Sequence, residues 1–263
     1  MRIGVVQFFP LFGGVARNIA RAVGLVREEQ ADLWVLPELF ATGYQFMDRR
    51  EAMRLAEGVD GPTVQTLRSK AREMSCWFCG GFPEVDGQRL YNSAFLTGPD
   101  GSVSVYRKMH LFDREKEIFD PGDRGFVVVD IGAAKVGMMI CFDWVFPESV
   151  RTLMLMGADV VAHPSNLVLP HCPDAMKTRA LENRVFTATA NRVGVEERVP
   201  GLRLEFIGSS IIYGPGGQRL ACAGRGEDCA LSVEVDVLRA RDKRVTARND
   251  LLADRRVTFY RSE

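Results

Sequence analysis

The 263-residue sequence has few histidines, no excess of either charge and no long apolar run. Because only three histidines are present, the sequence gives little support to a metal site that needs several of them. Lys plus Arg and Asp plus Glu each number 34, and this balance gives no electrostatic case for a nucleic-acid or anionic-membrane partner. No apolar run approaches the roughly 20 residues of a membrane-spanning helix. We therefore expect neither nucleic acid nor membrane as a partner.

The sequence also has only one closely spaced pair of cysteines. Of the six cysteines, Cys76 and Cys79 form one C-x-x-C, without a second pair, inside a segment (CWFCGGF) that is typical of a buried strand. A zinc or redox role is therefore not favoured. Met1 to Gly4 leads into an apolar strand and not into a signal peptide, so we expect reduced thiols in a cytoplasmic protein.

Apolar strands alternate with amphipathic helices along the chain, with hairpins inserted, and each half contains about six predicted strands. The two halves also contain two weakly similar stretches, NSAFLTGPDG in the first and GSSIIYGPGG in the second. We predict an α/β fold in one domain, residues 1–263, built as a four-layer α-β-β-α sandwich. The alternative is a single doubly wound sheet. Locally, Thr63 is predicted to cap a helix that runs to about Met74, and 206–213 to form one strand.

A strand-to-helix turn around Cys141 is the first candidate site. Val136 to Ile140 has the length and apolar character of a strand, and Pro147 to Met156 has helical spacing. A cysteine at the end of a buried strand and near a helix N-terminus is predicted to have a lowered thiol pKa and to act as a nucleophile. The alternative is a small buried cysteine that only packs.

Two further polar residues lie at predicted strand ends, where α/β sheets bind ligands. Glu38 follows the strand Leu33 to Leu36, and its apolar neighbours predict desolvation, a raised pKa and a role as general base. Lys108 follows the strand Val103 to Tyr106 and could stabilise an anionic tetrahedral intermediate, together with the backbone N–H of Phe142. The alternatives are an exposed loop glutamate and a solvated lysine.

Three long motifs then resemble the nitrilase (carbon–nitrogen hydrolase) superfamily: VLPELFATGY, YRKMHLFDREKEIFDPGD and VGMMICFDWVFPES. The resemblance continues through AHPSNLV and RALENR. It implies the α-β-β-α sandwich, with Glu38 as general base, Lys108 as the oxyanion-stabilising lysine and Cys141 as the nucleophile. Glu115 matches a second glutamate that positions substrate and lysine. The resemblance implies no metal or cofactor, and a homodimer, or a higher homo-oligomer, that pairs across one helical layer.

The resemblance implies hydrolysis of a non-peptide C–N bond in a small amide or nitrile through a thioester, giving an acid and ammonia. An N-carbamoyl amine is the alternative substrate. Members that act on N-carbamoyl amino acids often have arginines where this chain has Trp144-Val145, which argues against a carboxylate anchored there, although Arg184 could serve. Phe112, Phe142 and Trp144 suggest a small apolar pocket, or only core packing, and Asn166 is a candidate substrate contact.

Rival interpretations remain. His110 could form a protease-like dyad with Cys141, since on a strand it would share the face of Lys108. His163 and His171 are interpreted as structural hydrogen-bonding residues. A sandwich kept as a non-catalytic binding or assembly module is the other alternative. The charged C-terminal tail, residues 236–263, is predicted to contact a partner subunit or else to form a solvated terminal helix.

Overall fold

The computed structural model describes residues 1–260, which form two six-stranded sheets, a separate two-stranded hairpin and surrounding helices. The strands, in chain order, are β1 (Arg2–Gln7), β2 (Leu33–Val35), β3 (Trp77–Asp86), β4 (Arg89–Thr97), β5 (Val103–Arg107), β6 (Val127–Asp130), β7 (Lys135–Met138), β8 (Val160–Pro164), β9 (Phe186–Ala190), β10 (Val193–Val199), β11 (Leu202–Ile207), β12 (Ile211–Tyr213), β13 (Arg219–Cys222) and β14 (Cys229–Glu234).

The helices lie between these strands. The α-helices are α1 (Val15–Val26), α2 (Arg49–Leu55), α3 (Pro62–Met74), α4 (Glu115–Ile118), α5 (Pro147–Leu155), α6 (Cys172–Asn183) and α7 (Leu238–Arg241), and two 3₁₀ helices span Cys141–Val145 and Val257–Phe259. Within residues 1–260, no helix combines the length and the apolar character needed to cross a membrane.

The two sheets have the same arrangement. Their strand orders are β14-β1-β2-β3-β4-β5 and β13-β12-β9-β8-β7-β6, and each contains three parallel strands, β1–β3 or β7–β9, with antiparallel neighbours. The similar stretches NSAFLTGPDG and GSSIIYGPGG contain the second part of β4 and the whole of β12, and these strands pair antiparallel with β3 and β9 respectively. The weak repeat in the sequence therefore corresponds to matching strands. The α-β-β-α sandwich is confirmed, and the single doubly wound sheet is wrong.

Alternation along β2 shows how the layers form. Leu33 and Val35 belong to the core that includes residues of the second sheet, whereas Trp34, between them, packs in the core under α1 and α3. Side chains alternate between the two faces of a strand, so this apolar run serves both layers. Gly4 of β1 leaves room for the Trp34 ring, because a Cβ at Gly4 would lie 2.3 Å from it. Helices α5 and α6 cover the second sheet.

Two local predictions are wrong. Thr63 does not cap α3: the N-cap is Gly61, and the backbone N–H of Thr63 instead donates to the Glu57 carboxylate. Residues 206–213 are not one strand, because β11 ends at Ile207 and β12 begins at Ile211. Gly208 and Ser209 between them both have positive φ, 58° and 57°, which is incompatible with an extended strand.

The hairpin β10–β11 is an element that the sequence analysis did not predict. It packs on the loop after β2, where the Glu196 carboxylate accepts hydrogen bonds from the backbone N–H groups of Tyr44 and Gln45. Arg198 forms an ion pair with Glu51 at 2.8 Å. The hairpin therefore fixes the loop that carries Tyr44, whose hydroxyl donates a hydrogen bond to Glu115.

Candidate active site

Glu38 lies in a tight turn just beyond the carboxyl end of β2. The next residue, Leu39, has a φ of 49°, a left-handed conformation that is uncommon for a residue other than glycine. Gly81 of β3 makes this turn possible, since a Cβ there would lie 2.5 Å from the backbone N of Leu39 and 2.6 Å from Cα of Glu38. The strand end and its glycine neighbour thus place the Glu38 carboxyl group in the interior.

Lys108 comes directly after β5 and is buried between two carboxylates. Its Nζ lies 2.7 Å from Oε1 of Glu38 and 2.8 Å from Glu115. Burial by itself lowers the pKa of Lys108, but the charges of Glu115 and Glu38 outweigh it and hold that pKa above its usual value. Lys108 is therefore a fixed cation inside the protein and not the solvated lysine of the alternative interpretation.

Glu38 uses only one of its two carboxyl oxygens. Oε1 accepts hydrogen bonds from Lys108 Nζ and from Asn92 Nδ2, both at 2.7 Å, whereas Oε2 is buried and has no hydrogen-bond partner among residues 1–260. Burial raises the pKa of Glu38 to about 7, against the opposing effect of Lys108. The predicted raised pKa is confirmed, and the free oxygen is available to take up a proton.

Glu115 is held in place by three donors. Besides Lys108, Oε1 accepts from the Tyr44 hydroxyl at 2.7 Å and Oε2 from the backbone N–H of Phe112 at 3.1 Å. Tyr44 and Asn92, the partners of the two glutamates, were not among the candidates predicted from the sequence. Both lie within quoted stretches, at the end of VLPELFATGY and the start of NSAFLTGPDG, but no spacing rule connects them to a carboxylate far away in the sequence.

Cys141 stands in a strained turn between β7 and α5, as the first residue of a 3₁₀ helix. Its φ is 39°, and its carbonyl accepts a hydrogen bond from Nε2 of the buried His163 at 2.9 Å. The buried Asp143 holds the turn by accepting from the backbone N–H of Ile140 at 2.8 Å and from the Tyr106 hydroxyl at 2.7 Å. These contacts over-determine the strained conformation, as such a site requires.

The structure reverses one prediction for Cys141. Its thiol pKa is not lowered but raised well above the usual value, first by burial and then by the charge of Glu38. Lys108 and the backbone N–H of Asn166 act in the opposite direction without overcoming them. Burial in the sandwich dominates over proximity to a helix N-terminus. Cys141 is therefore a thiol in the free protein, and a nucleophilic role would need a base to remove its proton.

His110 and Arg184 do not take the alternative roles. His110 lies beyond the end of β5, its Nδ1 is 2.7 Å from Oδ1 of Asp143, and its ring stacks on Phe146 at 3.7 Å. His110 therefore supports the turn through Asp143 and Phe146, and it forms no dyad with Cys141. Arg184 precedes β9, at the edge of the sheet opposite Cys141, where its Nε donates to the Asp242 carbonyl. His163 is the structural hydrogen-bonding residue that the sequence predicted.

The cavity beside Cys141 contains all the predicted substrate contacts. Its lining consists of Phe112, Cys141, Phe142, Trp144, Asn166, Leu167, Val168 and Leu169. The amide group of Asn166 also donates to the backbone carbonyl of Glu38 at 2.9 Å, which links the two catalytic candidates across the sheets. No ionisable group other than the Cys141 thiol appears in this lining. The cavity therefore suits an uncharged group.

Metal binding has little support in residues 1–260, where no group of three or more His, Cys, Asp or Glu side chains is arranged to hold an ion. All six cysteines are free, and Cys76 and Cys79 are buried in and next to β3. Burial raises the pKa of Cys79 above its usual value, so this thiol is unreactive.

Comparisons with known proteins agree with this geometry. The carbon–nitrogen hydrolase family model matches residues 2–244. The chain is 47% identical over 264 residues to a nitrilase of Pyrococcus abyssi (strain GE5 / Orsay), covering 99% of both chains. It is 36% identical to an (R)-stereoselective amidase of a Pseudomonas species, over 98% of this chain and 92% of the relative.

A solved structure, a variant of the amidase from Nesterenkonia sp. AN1 in complex with acrylamide, matches with a TM-score of 0.83 at 28% identity. The match covers 98% of this chain and 95% of that one. Family model, relatives and fold therefore point the same way, and this chain belongs to the carbon–nitrogen hydrolase family.

Proposed function

We propose that this hydrolase cleaves the C–N bond of a short, uncharged aliphatic amide, or hydrolyses the corresponding nitrile to the same acid and ammonia, through a thioester on Cys141. The observation that carries the proposal is the buried Oε2 of Glu38, which has no hydrogen-bond partner within residues 1–260, on a carboxyl group whose pKa is raised to about 7. A base with this pKa can hold a thiol proton and return it near neutral pH.

The chemistry follows from the polar groups in order. Glu38 takes the Cys141 thiol proton as the sulfur attacks the carbonyl carbon, and the new oxyanion faces Lys108 Nζ and the backbone N–H of Phe142. The C–N bond then breaks, and Glu38 returns the proton to the departing nitrogen, which leaves as ammonia. A nitrile would first form a thioimidate, which takes up water and loses ammonia to reach the same thioester.

The second half of the cycle uses the same groups. Glu38 accepts a proton from water as the water oxygen attacks the thioester carbon, and Lys108 again faces the oxyanion. The C–S bond breaks, the sulfur of Cys141 recovers the proton from Glu38, and the acid leaves. Glu115 positions Lys108 and does not exchange protons in this scheme, because both its oxygens are occupied by donors.

The apolar lining of the cavity favours this substrate class over N-carbamoyl amines with charged ends. Trp144 and Leu167 to Leu169 offer no partner for a carboxylate or an ammonium group. A charged group buried without a partner is costly, so an uncharged acyl group is favoured.

The test is ammonia release from a panel of short amides, nitriles and N-carbamoyl amines. Cys141→Ala is the test variant and Cys79→Ala the matched control, because both remove a fully buried thiol but only Cys141 has charged neighbours. We expect ammonia from the amides or nitriles, lost in Cys141→Ala and kept in Cys79→Ala. Release from N-carbamoyl amines alone, or activity that survives in folded Cys141→Ala, would overturn the proposal.

We also propose that the chain works as a homodimer in the cytoplasm. Apolar side chains are exposed at the ends of α5 and α6 and in the C-terminal tail: Leu155, Met156, Leu181, Leu238, Val245, Val257, Phe259 and Tyr260. Exposed apolar side chains are typical of a subunit interface where they group together on the surface. Residues 261–263 of the tail lie outside the described residues. A truncation after Val237 that remains an active monomer in sedimentation would contradict this proposal.

A further inference from the structure

Two cavities meet at Phe112. The one beside Cys141, here called the catalytic cavity, was described above. The other, here called the distal cavity, is lined by Glu115 together with Tyr44, Gln45, Asp113 and Arg114, and by six apolar side chains. These are Phe46, Phe112, Ile118, Phe119, Leu202 and Leu204. Phe112 therefore separates the nucleophile from a second space that reaches the other side of the charged cluster.

Neither space is large enough for a substrate as it stands. The catalytic cavity measures about 20 Å³ and the distal cavity about 40 Å³. One water molecule needs roughly 10–15 Å³ on this measure. Even a small amide exceeds one or two water molecules, so a side chain in the lining has to move when a substrate binds next to Cys141.

Phe112 is the side chain best placed to move. It is half-buried, and its ring packs on Phe142 in a tilted arrangement at 5.1 Å. Its backbone, in contrast, is fixed: the N–H donates to Glu115, and Asp113 next to it has a φ of 46°. A fixed backbone with a partly exposed ring allows the ring to rotate while Glu115 and Lys108 keep their positions.

We propose that Phe112 is a movable partition and that the distal cavity is a second subsite, which takes an alkyl group of the substrate once the ring has turned away. This inference rests on the proposed amide or nitrile hydrolysis and adds the shape of the substrate to it. An alkyl group is the matching chemistry for the apolar side of this cavity, because four of its five polar side chains already have partners: the Tyr44 hydroxyl donates to Glu115 at 2.7 Å, Arg114 donates to the Met47 carbonyl and Gln45 to the Leu202 carbonyl. The fifth, Asp113, is exposed.

The experiment measures kcat/KM for two series, primary amides from acetamide to octanamide and acetamides with N-alkyl groups from methyl to hexyl. Each value is divided by that of acetamide in the same variant. In Phe112→Ala we expect a relative gain on the order of ten-fold for chains of four or more carbons. A gain among the primary amides assigns the subsite to the acid part, and a gain among the N-alkyl amides assigns it to the amine part.

Leu204→Trp in the Phe112→Ala background is the matched control, since it fills the distal cavity and should remove the gain. If Phe112→Ala does not fold, Phe112→Leu takes its place, and we expect a gain for the same long-chain substrates that is smaller than ten-fold. If Phe112→Ala changes kcat/KM by the same factor for every member of both series, with or without Leu204→Trp, Phe112 is not a partition.

Alkylation of Cys141 separates this inference from the proposed function. Iodoacetamide and N-hexyl iodoacetamide both report on access to the thiol, through intact mass, without any hydrolysis. Should the wild type hydrolyse no amide, the proposed function fails, but the partition still requires Phe112→Ala to accelerate the hexyl reagent relative to iodoacetamide. Equal acceleration of both reagents would overturn it.

Discussion

Two buried glutamate–cation pairs lie side by side at the end of β5, and they differ in how their carboxyl oxygens are hydrogen-bonded. Glu84 pairs with Arg107, and Glu38 pairs with Lys108, the next residue in the chain. All four side chains are buried. Burial of a charge is therefore not what distinguishes the catalytic candidate, and the difference has to be sought in the hydrogen bonds.

Glu84 is fully satisfied. Its Oε1 accepts from Nη2 of Arg107 at 2.5 Å, and its Oε2 accepts from Nε of Arg107 at 3.0 Å and from the Ser93 hydroxyl at 2.6 Å. Arg107 also binds Asp86 and Asp123. Oε2 of Glu38, in contrast, accepts no hydrogen bond from any of the described residues, 1–260. A bidentate guanidinium occupies both carboxyl oxygens, whereas the single ammonium group of Lys108 leaves one available. We infer that the first pair stabilises the fold and the second performs chemistry.

Arg107→Met gives the largest expected effect on stability. Removal of the guanidinium leaves Glu84 buried without its partner, and we expect the free energy of unfolding to fall by about 3–5 kcal/mol. Denaturant unfolding measures this. Adding Glu84→Gln should recover part of the loss, because it removes the unpaired charge. An unchanged midpoint in Arg107→Met would show that the pair has no structural role.

Lys108→Met should have the opposite profile. Without the donor to the oxyanion, we expect kcat/KM to fall by about 10²–10³, or about 3–4 kcal/mol of transition-state stabilisation. The stability loss should be smaller than that of Arg107→Met, because Glu38 can take up a proton and become neutral. Steady-state kinetics and denaturant unfolding on the same samples test both parts. A larger loss of stability than in Arg107→Met would break the comparison.

The pH dependence sharpens the contrast further. A base acts only when deprotonated, and the pKa of Glu38 is raised to about 7, so kcat/KM should fall about ten-fold for each pH unit below that value. Because Glu38, Lys108 and Glu115 interact, the inflection belongs to the cluster as a whole. A kcat/KM that stays constant down to pH 5 would mean that Glu38 has an ordinary pKa or is not the base.

Tyr44→Phe should have the smallest effect. It removes one of the three donors to Glu115 and leaves the ring packed on Phe206 at 5.9 Å. We expect a decrease in kcat of about ten-fold, in line with roughly one hydrogen bond to a charged group. Lys70→Met, a surface substitution, provides the baseline. A kcat equal to that baseline would exclude a positioning role for Tyr44.

Much of the fold could be predicted because the strand pattern and the repeated turn depend on residues that are close together in the sequence. Glu38, Lys108 and Cys141 were proposed because each follows a predicted strand, and Glu115 because the family resemblance implies it. Asn92, Tyr44 and the hairpin β10–β11 were missed, since their roles depend on contacts between residues far apart in sequence. The prediction of a lowered thiol pKa for Cys141 was wrong because the sequence shows the nearby helix N-terminus, but it does not show how completely the second sheet and its helices bury the thiol or that the Glu38 carboxylate lies close to it.

The most direct test compares two matched substitutions, Glu38→Gln and Glu84→Gln, by ammonia release from a substrate amide at pH 8. Both replace a buried carboxylate by an amide of nearly the same shape. We predict that Glu38→Gln lowers kcat by about 10²–10⁴, as expected for loss of a general base, while folded Glu84→Gln stays close to the wild type. Equal losses in the two variants, or an active Glu38→Gln, would contradict the account.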